Sequence, residues 1–194
     1  RSFESERRPI LDQVSSIAMN VRKNNDLSIP SAIEETTEEG QALREKIGHY
    51  MMQTDAAQFA CIGLNFGYFY EGSPIIAYDE GTPPTYTIGT YTPSTCPGCR
   101  VPHSWLDDGR SLFDALGQDY TLLNCDRSID ISGLTQAAEA MKLPLTIIDL
   151  AGQTSASLYD APLLLVRPDH HIAWRGKSLP ENPVELIEVI RGTN

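Results

Sequence analysis

The amino-acid sequence predicts an α/β fold, because its first third shows helical periodicity and its last third alternates strands with helices. Near the N-terminus, apolar residues recur every three or four positions, as they do on one face of a helix. The last third contains four short apolar runs of strand length, YTLLNC, LPLTIIDL, APLLLV and HIAWRG. The chain has 194 residues, of which 41% are hydrophobic, enough for one large domain or two small ones.

Two helices are predicted in the first third. The first has Pro9 in its first turn, and its apolar face consists of Ile10, Leu11, Val14, Ile17, Ala18 and Val21. The second follows the polar segment NNDLSIPSAIEETTEEG and covers EEGQALREKIGHYMMQ. Its apolar positions, Leu43, Ile47, Tyr50 and Met51, are also spaced by three and four. The acidic residues Glu34, Glu35, Glu38 and Glu39 are interpreted as a solvated run.

Two strands are predicted next, in GLNFGYFYEGSPIIAYDEGTPP. Leu64, Phe66, Tyr68 and Tyr70 alternate with other residues, Glu71 to Pro74 provide a turn, and IIAY resumes the extended pattern. The segment from Thr82 to Pro102 is rich in Pro, Thr and Gly, which indicates a long surface connection. We therefore predict one domain over residues 1–100 and a second over 101–194. The apolar face of the first helix is expected to pack on the Tyr68 and Tyr70 strand or on another copy.

The second predicted domain has the order strand, helix, strand, strand, strand, helix. Ser111 caps a short helix LFDALG, and the helix ISGLTQAAEAMK turns Leu134, Ala137, Ala138 and Met141 inward between two parallel strands. A hairpin around Asp169 and His170 and the helix NPVELIEVIRG complete the unit. This is the element order of a thioredoxin-like domain. Pro162 occupies the position where such domains carry a cis proline, and the sequence leaves its isomer open.

Charge and composition exclude several classes of function. The net charge is −11 and Lys and Arg do not cluster, which argues against nucleic-acid binding. No apolar run approaches the ~20 residues that span a bilayer, and RSFESERRPI has no apolar signal core. A cytoplasmic location is therefore predicted. The four cysteines, Cys61, Cys96, Cys99 and Cys125, are expected to be reduced thiols.

The stretch TCPGCRVPHSWL contains a Cys-x-x-Cys motif, Cys96 and Cys99. This spacing occurs in disulfide-exchange sites, in zinc sites and in ordinary loops. In thioredoxin-like redox proteins such a pair begins the helix after the first core strand, where the helix dipole lowers the pKa of the attacking thiol. Here Cys125 alone holds that place. Structural zinc usually takes four ligands, and no second pair completes the set, although His103, His170 and His171 remain candidates. The sequence therefore favours neither redox nor zinc chemistry.

Four motifs follow one another along nearly the whole chain, SFESERRPI, LNFGYFYEGSPI, PGCRVPHSWLDDGRSLFDALGQDYTLLN and LLLVRPDHHIAWRG. Together they resemble FAD-dependent aromatic-ring hydroxylases of the phenol and 2,4-dichlorophenol hydroxylase type, which are class A flavoprotein monooxygenases. SFESERRPI resembles the Y-x-x-ERRP opening of the helix after the last flavin-contacting motif of that family. LNFGYFYEGSPI is similar to LG-x-x-Y-x-Y, and PGCRVPHSWLDDGRSLFDALGQDYTLLN to PG-x-R-x-PH-x-WL with SL-x-D-x-x-G. LLLVRPDHHIAWRG is similar to the VRPDG-x-x-AWR hairpin.

The resemblance implies a homodimeric enzyme that hydroxylates a phenolic substrate with FAD, NAD(P)H and O2. It also shows that the family's N-terminal FAD domain is missing: no Gly-x-Gly-x-x-Gly occurs, and Asp108-Gly109 is a turn of the C-terminal motif. The chain is therefore predicted to be a structural and dimerising C-terminal fragment, with no catalytic, cofactor-binding or metal-binding residue of its own. Residues 1–100 are then the C-terminal remnant of the flavin and substrate domain, and residues 101–194 are a thioredoxin-like domain without redox activity. The alternatives are a stand-alone thiol oxidoreductase that uses Cys96 and Cys99, and an interaction module with no enzyme attached.

The resemblance assigns architectural roles to its signature positions, Arg100, Pro102, His103, Trp105 and Leu106. Trp105 is expected to fill the seam between the thioredoxin-like domain and the body of the enzyme, with Arg100 and His103 hydrogen-bonded across it. A general-base role for His103 is the disfavoured alternative, because no nucleophile is implied nearby. Arg7 and Arg8 are expected to brace the flavin domain or to form surface salt bridges.

Overall fold

The computed structural model describes residues 2–24 and 29–193, and the side chains of this part outside 20–24 and 55–58. The helices are α1 (Ser2–Asn24), α2 (Glu38–Phe59), α3 (Ile62–Phe66), α4 (Leu112–Leu116), α5 (Ser132–Ala140) and α6 (Pro183–Arg191). The strands are β1 (Tyr120–Asn124), β2 (Leu145–Asp149), β3 (Leu163–Val166) and β4 (Ile172–Gly176). Single 3-10 turns lie at Ser31–Glu34 and Thr154–Leu158. The predicted α/β class is confirmed.

The four strands form one mixed sheet in the order β2-β1-β3-β4. β1 and β2 are parallel, with Tyr120 opposite Leu145, because α5 connects them as a crossover. β3 runs antiparallel to both β1 and β4, and the register shifts by one residue between Leu165 and Val166. The strand and helix order predicted for the last third is therefore the observed one.

The sheet has an apolar core on each face, since neighbouring residues of a strand point to opposite sides. On one face, Leu122, Leu163 and Leu165 pack with residues of α5 and α6. On the other, Leu123, Leu164 and Ile172 pack with the segment 101–116, including α4, and with Leu150 and Tyr159. Leu150 and Tyr159 come from the segment between β2 and β3, which is a loop with one 3-10 turn and covers this face of the sheet in place of a helix.

Local signals explain where the helices of this region begin and end. Ser111 accepts a hydrogen bond from the Phe113 amide and caps α4, as predicted. Asn182 caps α6 in the same way, Pro183 stands in its first turn, and Gly192 ends it in the left-handed conformation. The Ala161–Pro162 peptide bond is trans, which decides the isomer that the sequence left open.

The two predicted N-terminal helices are present, but α1 starts earlier than predicted. It begins at Ser2, so Pro9 lies in its interior and not in its first turn. Ile10 and Ile17 are half-buried, whereas Leu11 and Val14 are exposed. Leu11 and Val14 are therefore not covered by the chain itself, and pairing with another copy stays a prediction. Val21 lies outside the described side chains.

The two strands predicted between Leu64 and Tyr78 are absent from this described segment. Ile62–Phe66 is a short helix, and residues 67–81 form turns and irregular backbone. Single hydrogen bonds replace a ladder: the Tyr70 amide donates to Gly98 O and the Ala77 amide donates to Ala173 O. The alternation of tyrosines reflects side chains that are anchored one by one, as Tyr70 is in the interior, and not a pleated strand.

The chain divides into two compact units. The first comprises residues 1–6, 68–85 and 92–194 and contains the sheet. The second comprises residues 7–67 and 86–91, in which α2 packs on the 3-10 turn Ser31–Glu34. Arg44 strengthens that packing by donating to the carbonyl oxygens of Ile33 and Glu35, at 2.7 and 2.8 Å. The acidic residues predicted to be solvated, Glu34, Glu35, Glu38 and Glu39, are all exposed.

Candidate functional site: the polar cluster around Arg167

A hairpin turn in the first unit positions the charged residues of the site. Arg167 follows β3 directly, and the Arg167 amide donates to His171 O at 2.8 Å, which closes the turn. Asp169 accepts a hydrogen bond from the His171 amide through Oδ1, at 3.2 Å. His170 takes a φ of 67°, in the left-handed region, so that the chain can reverse within these residues.

Arg167 forms a buried, two-pronged ion pair with Glu6 of α1. Its Nη1 and Nη2 lie 2.6 and 3.1 Å from the two carboxylate oxygens of Glu6, and Nη2 also lies 3.0 Å from Asp169 Oδ2. Only 9% of the Arg167 side chain and 4% of the Glu6 side chain are exposed. Ser73 Oγ donates to Glu6 Oε1 at 2.6 Å. This fork geometry is the strong form of a charged hydrogen bond, and it ties the start of α1 to the β3–β4 hairpin.

Aromatic rings enclose the ion pair. The Arg167 guanidinium lies 5.4 Å from the centroid of the Tyr70 ring, which stacks on the buried His171 ring at 4.3 Å. Tyr70 also donates its hydroxyl to Asp169 Oδ2 at 3.4 Å. Tyr68 lies 5.3 Å from His171, and its hydroxyl accepts from Arg100 Nη2 at 3.3 Å. The tyrosines at 68 and 70 therefore line the charged cluster.

The charges of the cluster stabilise one another. Burial raises the pKa of Glu6, but the hydrogen bonds from Arg167 and Ser73 outweigh burial and bring that pKa below its usual value. Burial likewise raises the pKa of Asp169, while the hydrogen bond and charge of His171 and the charge of Arg167 lower it much further. Both carboxylates are thus ionised and occupied by donors at neutral pH. The arrangement suits a clamp that holds the two segments together.

Cys96 and Cys99 lie in a tight turn whose Cys99 amide donates to Cys96 O at 3.0 Å. Gly98 has a φ of 92°, and a Cβ there would collide with the Tyr70 carbonyl oxygen, so the turn requires glycine. The turn joins β4 through hydrogen bonds from the Gly98 amide to Ile172 O and from the Ile172 amide to Cys99 O. The end of the predicted surface connection is therefore buried.

The two thiols lack the activation that a redox site needs. Both are buried, Cys96 Sγ donates to Thr82 O at 3.3 Å, and desolvation raises the pKa of Cys99 to about 11. They precede β1, whereas the helix that follows β1 is α5. Cys125, at the end of β1, also has a pKa raised by burial to about 11. Thiols of this kind are mostly protonated at neutral pH and attack disulfides slowly.

The signature positions take varied environments. Leu106 is buried, and Pro102 accepts a hydrogen bond from the Tyr159 hydroxyl through its carbonyl, at 3.2 Å. His103 Nε2 lies 2.9 Å from Ser111 Oγ. This hydrogen bond joins two residues of the segment 101–194 and does not cross the predicted seam. Ser111 already caps α4, which gives this pair a structural explanation. Trp105 is 67% exposed and meets His103 edge to face at 5.2 Å; its role in a seam stays a prediction.

The residues that sequence reasoning missed are those of the clamp, above all Glu6, Arg167 and Asp169. Their signal was present, because Arg167 and Glu6 each stand inside a motif singled out for its resemblance, but 161 positions separate the pair. Among the described residues, no group of three or more His, Cys, Asp and Glu side chains is placed to hold a metal ion. None of the helices in the described ranges is long and apolar enough to cross a membrane.

Comparison with known proteins identifies relatives of this architecture. The family "Aromatic-ring hydroxylase, C-terminal" matches residues 94–192. The chain is 31% identical to the FAD-dependent monooxygenase opdD of Penicillium oxalicum over 191 residues, which cover 92% of this chain and 36% of opdD. It is 28% identical to a phenol 2-monooxygenase of a Pseudomonas species, over 97% of this chain and 34% of that enzyme.

Solved structures also match this chain over nearly its whole length. A structure of RebC soaked with chromopyrrolic acid, with bound 7-carboxy-K252c, superposes with a TM-score of 0.85 at 29% identity and covers 99% of this chain and 37% of RebC. A structure of RebC with reduced flavin superposes with a TM-score of 0.84 at 28% identity. The chain therefore spans about a third of the length of the proteins that it matches.

Proposed function

The chain belongs to the aromatic-ring hydroxylase C-terminal family, and we propose that it is the C-terminal part of a flavin monooxygenase that hydroxylates a phenolic substrate with NAD(P)H and O2. The observation that carries this proposal is the match to FAD-dependent monooxygenases along nearly the whole chain, combined with coverage of only a third of their length. A missing N-terminal FAD domain accounts for the difference in length.

The residues of this chain do not fit a flavin. The sequence has no glycine-rich phosphate loop and a net charge of −11, whereas a dinucleotide needs backbone amides at a helix N-terminus for its pyrophosphate. Dioxygen activation is flavin chemistry that no side chain supplies. FAD, NAD(P)H and the reacting substrate are therefore proposed to bind to the rest of the protein.

The role proposed for this chain is architectural. The clamp of Glu6 and Arg167 fixes the start of α1 on the hairpin within the first unit, and both charges are fully engaged. Arg100 contributes to the same cluster through the Tyr68 hydroxyl. Residues 101–194 are proposed, as the sequence predicts, to form a supporting domain distinct from residues 1–100, and residues 68–85 and 92–100 lie in the same compact unit as that domain. In the longer protein the exposed Trp105 covers the seam to the enzyme body.

We further propose that residues 101–194 form a thioredoxin-like domain that has no redox activity. The strand order β2-β1-β3-β4 with β3 antiparallel to its neighbours, and the α5 crossover between β1 and β2, support this assignment. The place of the catalytic pair holds only Cys125, whose raised pKa makes it a poor nucleophile.

A homodimer is proposed on the family resemblance alone. The free cysteines support a cytoplasmic location.

Turnover by the full-length protein tests the main proposal. Purified full-length protein is expected to carry a flavin spectrum and to oxidise NADH or NADPH faster when a phenol is added, with a hydroxylated product. A panel of phenols and both nicotinamides identifies the substrate class and the electron donor. A full-length protein without flavin, or one whose nicotinamide oxidation no phenol stimulates, would contradict the proposal.

Insulin reduction by dithiothreitol tests the thiol oxidoreductase alternative. The native chain and a Cys96→Ser, Cys99→Ser variant are expected to give the same rate as dithiothreitol alone, because the pair is buried and the pKa of Cys99 is high. A rate that the native chain raises and the variant loses would favour the alternative. Light scattering on the full-length protein tests the homodimer.

A further inference from the structure

A cavity of about 190 Å³ lies in the first unit, beside Tyr70 of the polar cluster. Its walls combine two aromatic rings, two prolines and two carboxylates, which belong to Tyr70, Tyr78, Pro83, Pro97, Glu71 and Asp79. Sites for drug-sized ligands start at about 300 Å³, whereas a cavity of about 150 Å³ holds one benzene molecule. The cavity is therefore too small for a dinucleotide or a polycyclic molecule, and it fits a ligand with about the bulk of one ring.

Tyr78 forms a fixed wall of this cavity. Its hydroxyl donates to Tyr70 O at 2.9 Å and accepts from the Ser73 amide at 3.0 Å. A Cβ on Gly98 would lie only 3.3 Å from Tyr78 Cε1, so the ring packs closely against that glycine. The hydroxyl is thus occupied, while 44% of the residue is exposed. Tyr78 therefore offers a ligand its ring and not its hydroxyl, and the ring is in place before a ligand arrives.

The two carboxylates of the cavity differ in what they contact. Asp79 is engaged, because Arg175 Nε lies 2.6 Å from Asp79 Oδ2. Glu71 is exposed, and within the described ranges no hydrogen bond or ion pair of its carboxylate is found. The charge of Glu71 acts on the cavity wall: burial raises the pKa of the Tyr78 hydroxyl, and the charges of Glu6 and Glu71 raise that pKa further. Since Arg175 neutralises Asp79, Glu71 leaves the cavity with a net negative charge.

We propose that this cavity binds a small alkylammonium ion, whose alkyl groups contact Tyr78, Pro83 and Pro97 and whose charge lies beside Glu71. The negative face of an aromatic ring attracts an organic cation, and the prolines add apolar contact. A metal ion is a poorer match, because no three His, Cys, Asp or Glu side chains among the described residues are grouped to hold one. An anion would meet Glu71 and the overall charge of −11. This inference goes beyond the proposed function, since it involves neither the flavin nor the phenolic substrate.

Titration of the full-length protein with tetramethylammonium chloride, followed by saturation-transfer difference NMR, tests the proposal. tert-Butanol is the neutral probe of similar shape, and sodium chloride keeps the ionic strength constant. Glu71→Gln removes the charge of the cavity, whereas Glu139→Gln removes an exposed charge on α5 as a matched control. Because both carboxylates are exposed, neither change disturbs the core, and the thermal unfolding midpoint of each variant checks that it folds.

The native protein and Glu139→Gln are expected to bind tetramethylammonium saturably, with the same dissociation constant. Glu71→Gln should bind it about threefold to fivefold more weakly, the effect of losing one exposed charge contact. tert-Butanol should give the same signal in all three proteins, because it has no charge for Glu71 to attract. The proposal is overturned if the native protein shows no saturable binding of tetramethylammonium, or if Glu71→Gln binds it unchanged. An equal loss in Glu139→Gln, or an equal loss of both probes in Glu71→Gln, would overturn it as well. None of these outcomes depends on flavin or turnover, so they test the cavity separately from the proposed function.

Discussion

Arg167 is charged and almost completely buried, so its contribution to stability depends on whether Glu6 and Asp169 stay in place. Removing one partner of a buried pair leaves a desolvated charge, which typically costs about 3–5 kcal/mol. We expect Glu6→Leu, which leaves Arg167 without its two-pronged partner, to lower the free energy of unfolding by about that amount. Urea denaturation followed by circular dichroism measures the change.

The exposed pair of Arg127 and Asp149 is a matched control, with the same 2.6 Å separation but with 70% and 44% of the side chains exposed. Arg127→Leu is expected to change the free energy of unfolding by less than about 1 kcal/mol, because exposed pairs are screened by water. Equal losses from Glu6→Leu and Arg127→Leu would show that the clamp is not a buried ion pair in solution.

The same carboxylates predict the acid limit of stability. The folded pKa of Glu6 and that of Asp169 lie below the ordinary values of 4.5 and 3.8. A lowered folded pKa contributes stability that is complete above the unfolded pKa and is lost as pH falls through the folded pKa. The lowered folded pKa of His170 removes some stability as pH falls below its ordinary value of 6.5. The midpoint of urea unfolding should therefore decline a little below about 6.5 and steeply below about 4.5, where the two carboxylates bind protons in the unfolded chain.

Glu6→Gln should reduce the dependence on pH below about 4.5, because the variant no longer has that carboxylate to protonate. Its absolute stability is lower, so the test compares slopes against pH and not midpoints. An unchanged slope would mean that Glu6 has a similar pKa in the folded and unfolded chains, and would contradict the clamp geometry.

At the scale of residues, the sequence identifies which positions are unusual but not what they contact. ERRP and VRPD are visible as motifs, yet the Glu6–Arg167 pair depends on tertiary contact across 161 positions. Trp105 and His103 are conspicuous in the sequence but lie at the surface, and His103 is occupied by the Ser111 hydroxyl. Local patterns contain no information about such long-range pairing, because it is decided when the elements pack.

Among the elements, the β3–β4 hairpin carries a strained residue. His170 has a φ of 67°, which costs a residue with a Cβ about 1–2 kcal/mol and costs glycine little. The ring of His170 stacks on Phe113 at 4.9 Å and offsets part of this cost. Since alanine and glycine both lack the ring, comparing His170→Ala with His170→Gly isolates the backbone cost.

We expect His170→Gly to be more stable than His170→Ala by about 1 kcal/mol. The opposite order is expected at Gln136, an exposed position inside α5, where glycine is worse than alanine by about 1 kcal/mol. Thermal unfolding of the four variants measures both differences. If alanine is the more stable residue at position 170 as well, the turn does not adopt the left-handed conformation in solution.

The elements of the last third were predictable because each carries several agreeing signals. β3 is a continuous apolar run, and β1 has Leu122 and Leu123 at its centre. α5 has an inward face of Leu134, Ala137 and Ala138, and α6 has an Asn cap and a terminal glycine. The segment from Leu64 to Tyr78 misled because alternating aromatic residues satisfy a strand pattern without a neighbouring strand to pair with. Its backbone bonds go singly to Gly98 and Ala173.

At the scale of the whole molecule, the chain combines a well-covered sheet with helices that expose apolar side chains. Both faces of the sheet carry an apolar core that includes Leu122 and Leu164 of the strands and Ile187 of α6. Among the described strands, only the edge strand β2 leaves an apolar side chain of the sheet exposed, Ile147 at 43%. By contrast, Met52 and Phe59 of α2 are more than 70% exposed, as is Phe3 of α1. The sequence predicted the sheet because its core is local to one unit, whereas the exposure of each helix face is decided by tertiary contacts that a local pattern does not encode.

This contrast predicts that the isolated chain folds but cannot hold flavin. Folding is expected because residues 101–194 contain a four-stranded sheet with an apolar core on each face, which is what an independent domain requires. Flavin binding is not expected, because no glycine-rich turn is present to cradle the pyrophosphate. The purified chain, mixed with excess FAD and passed through gel filtration, should show cooperative unfolding and no visible absorbance, whereas the full-length protein treated identically should stay yellow. A flavin retained by the isolated chain would mean that these residues form a cofactor site of their own, and would contradict the proposal that they only support one.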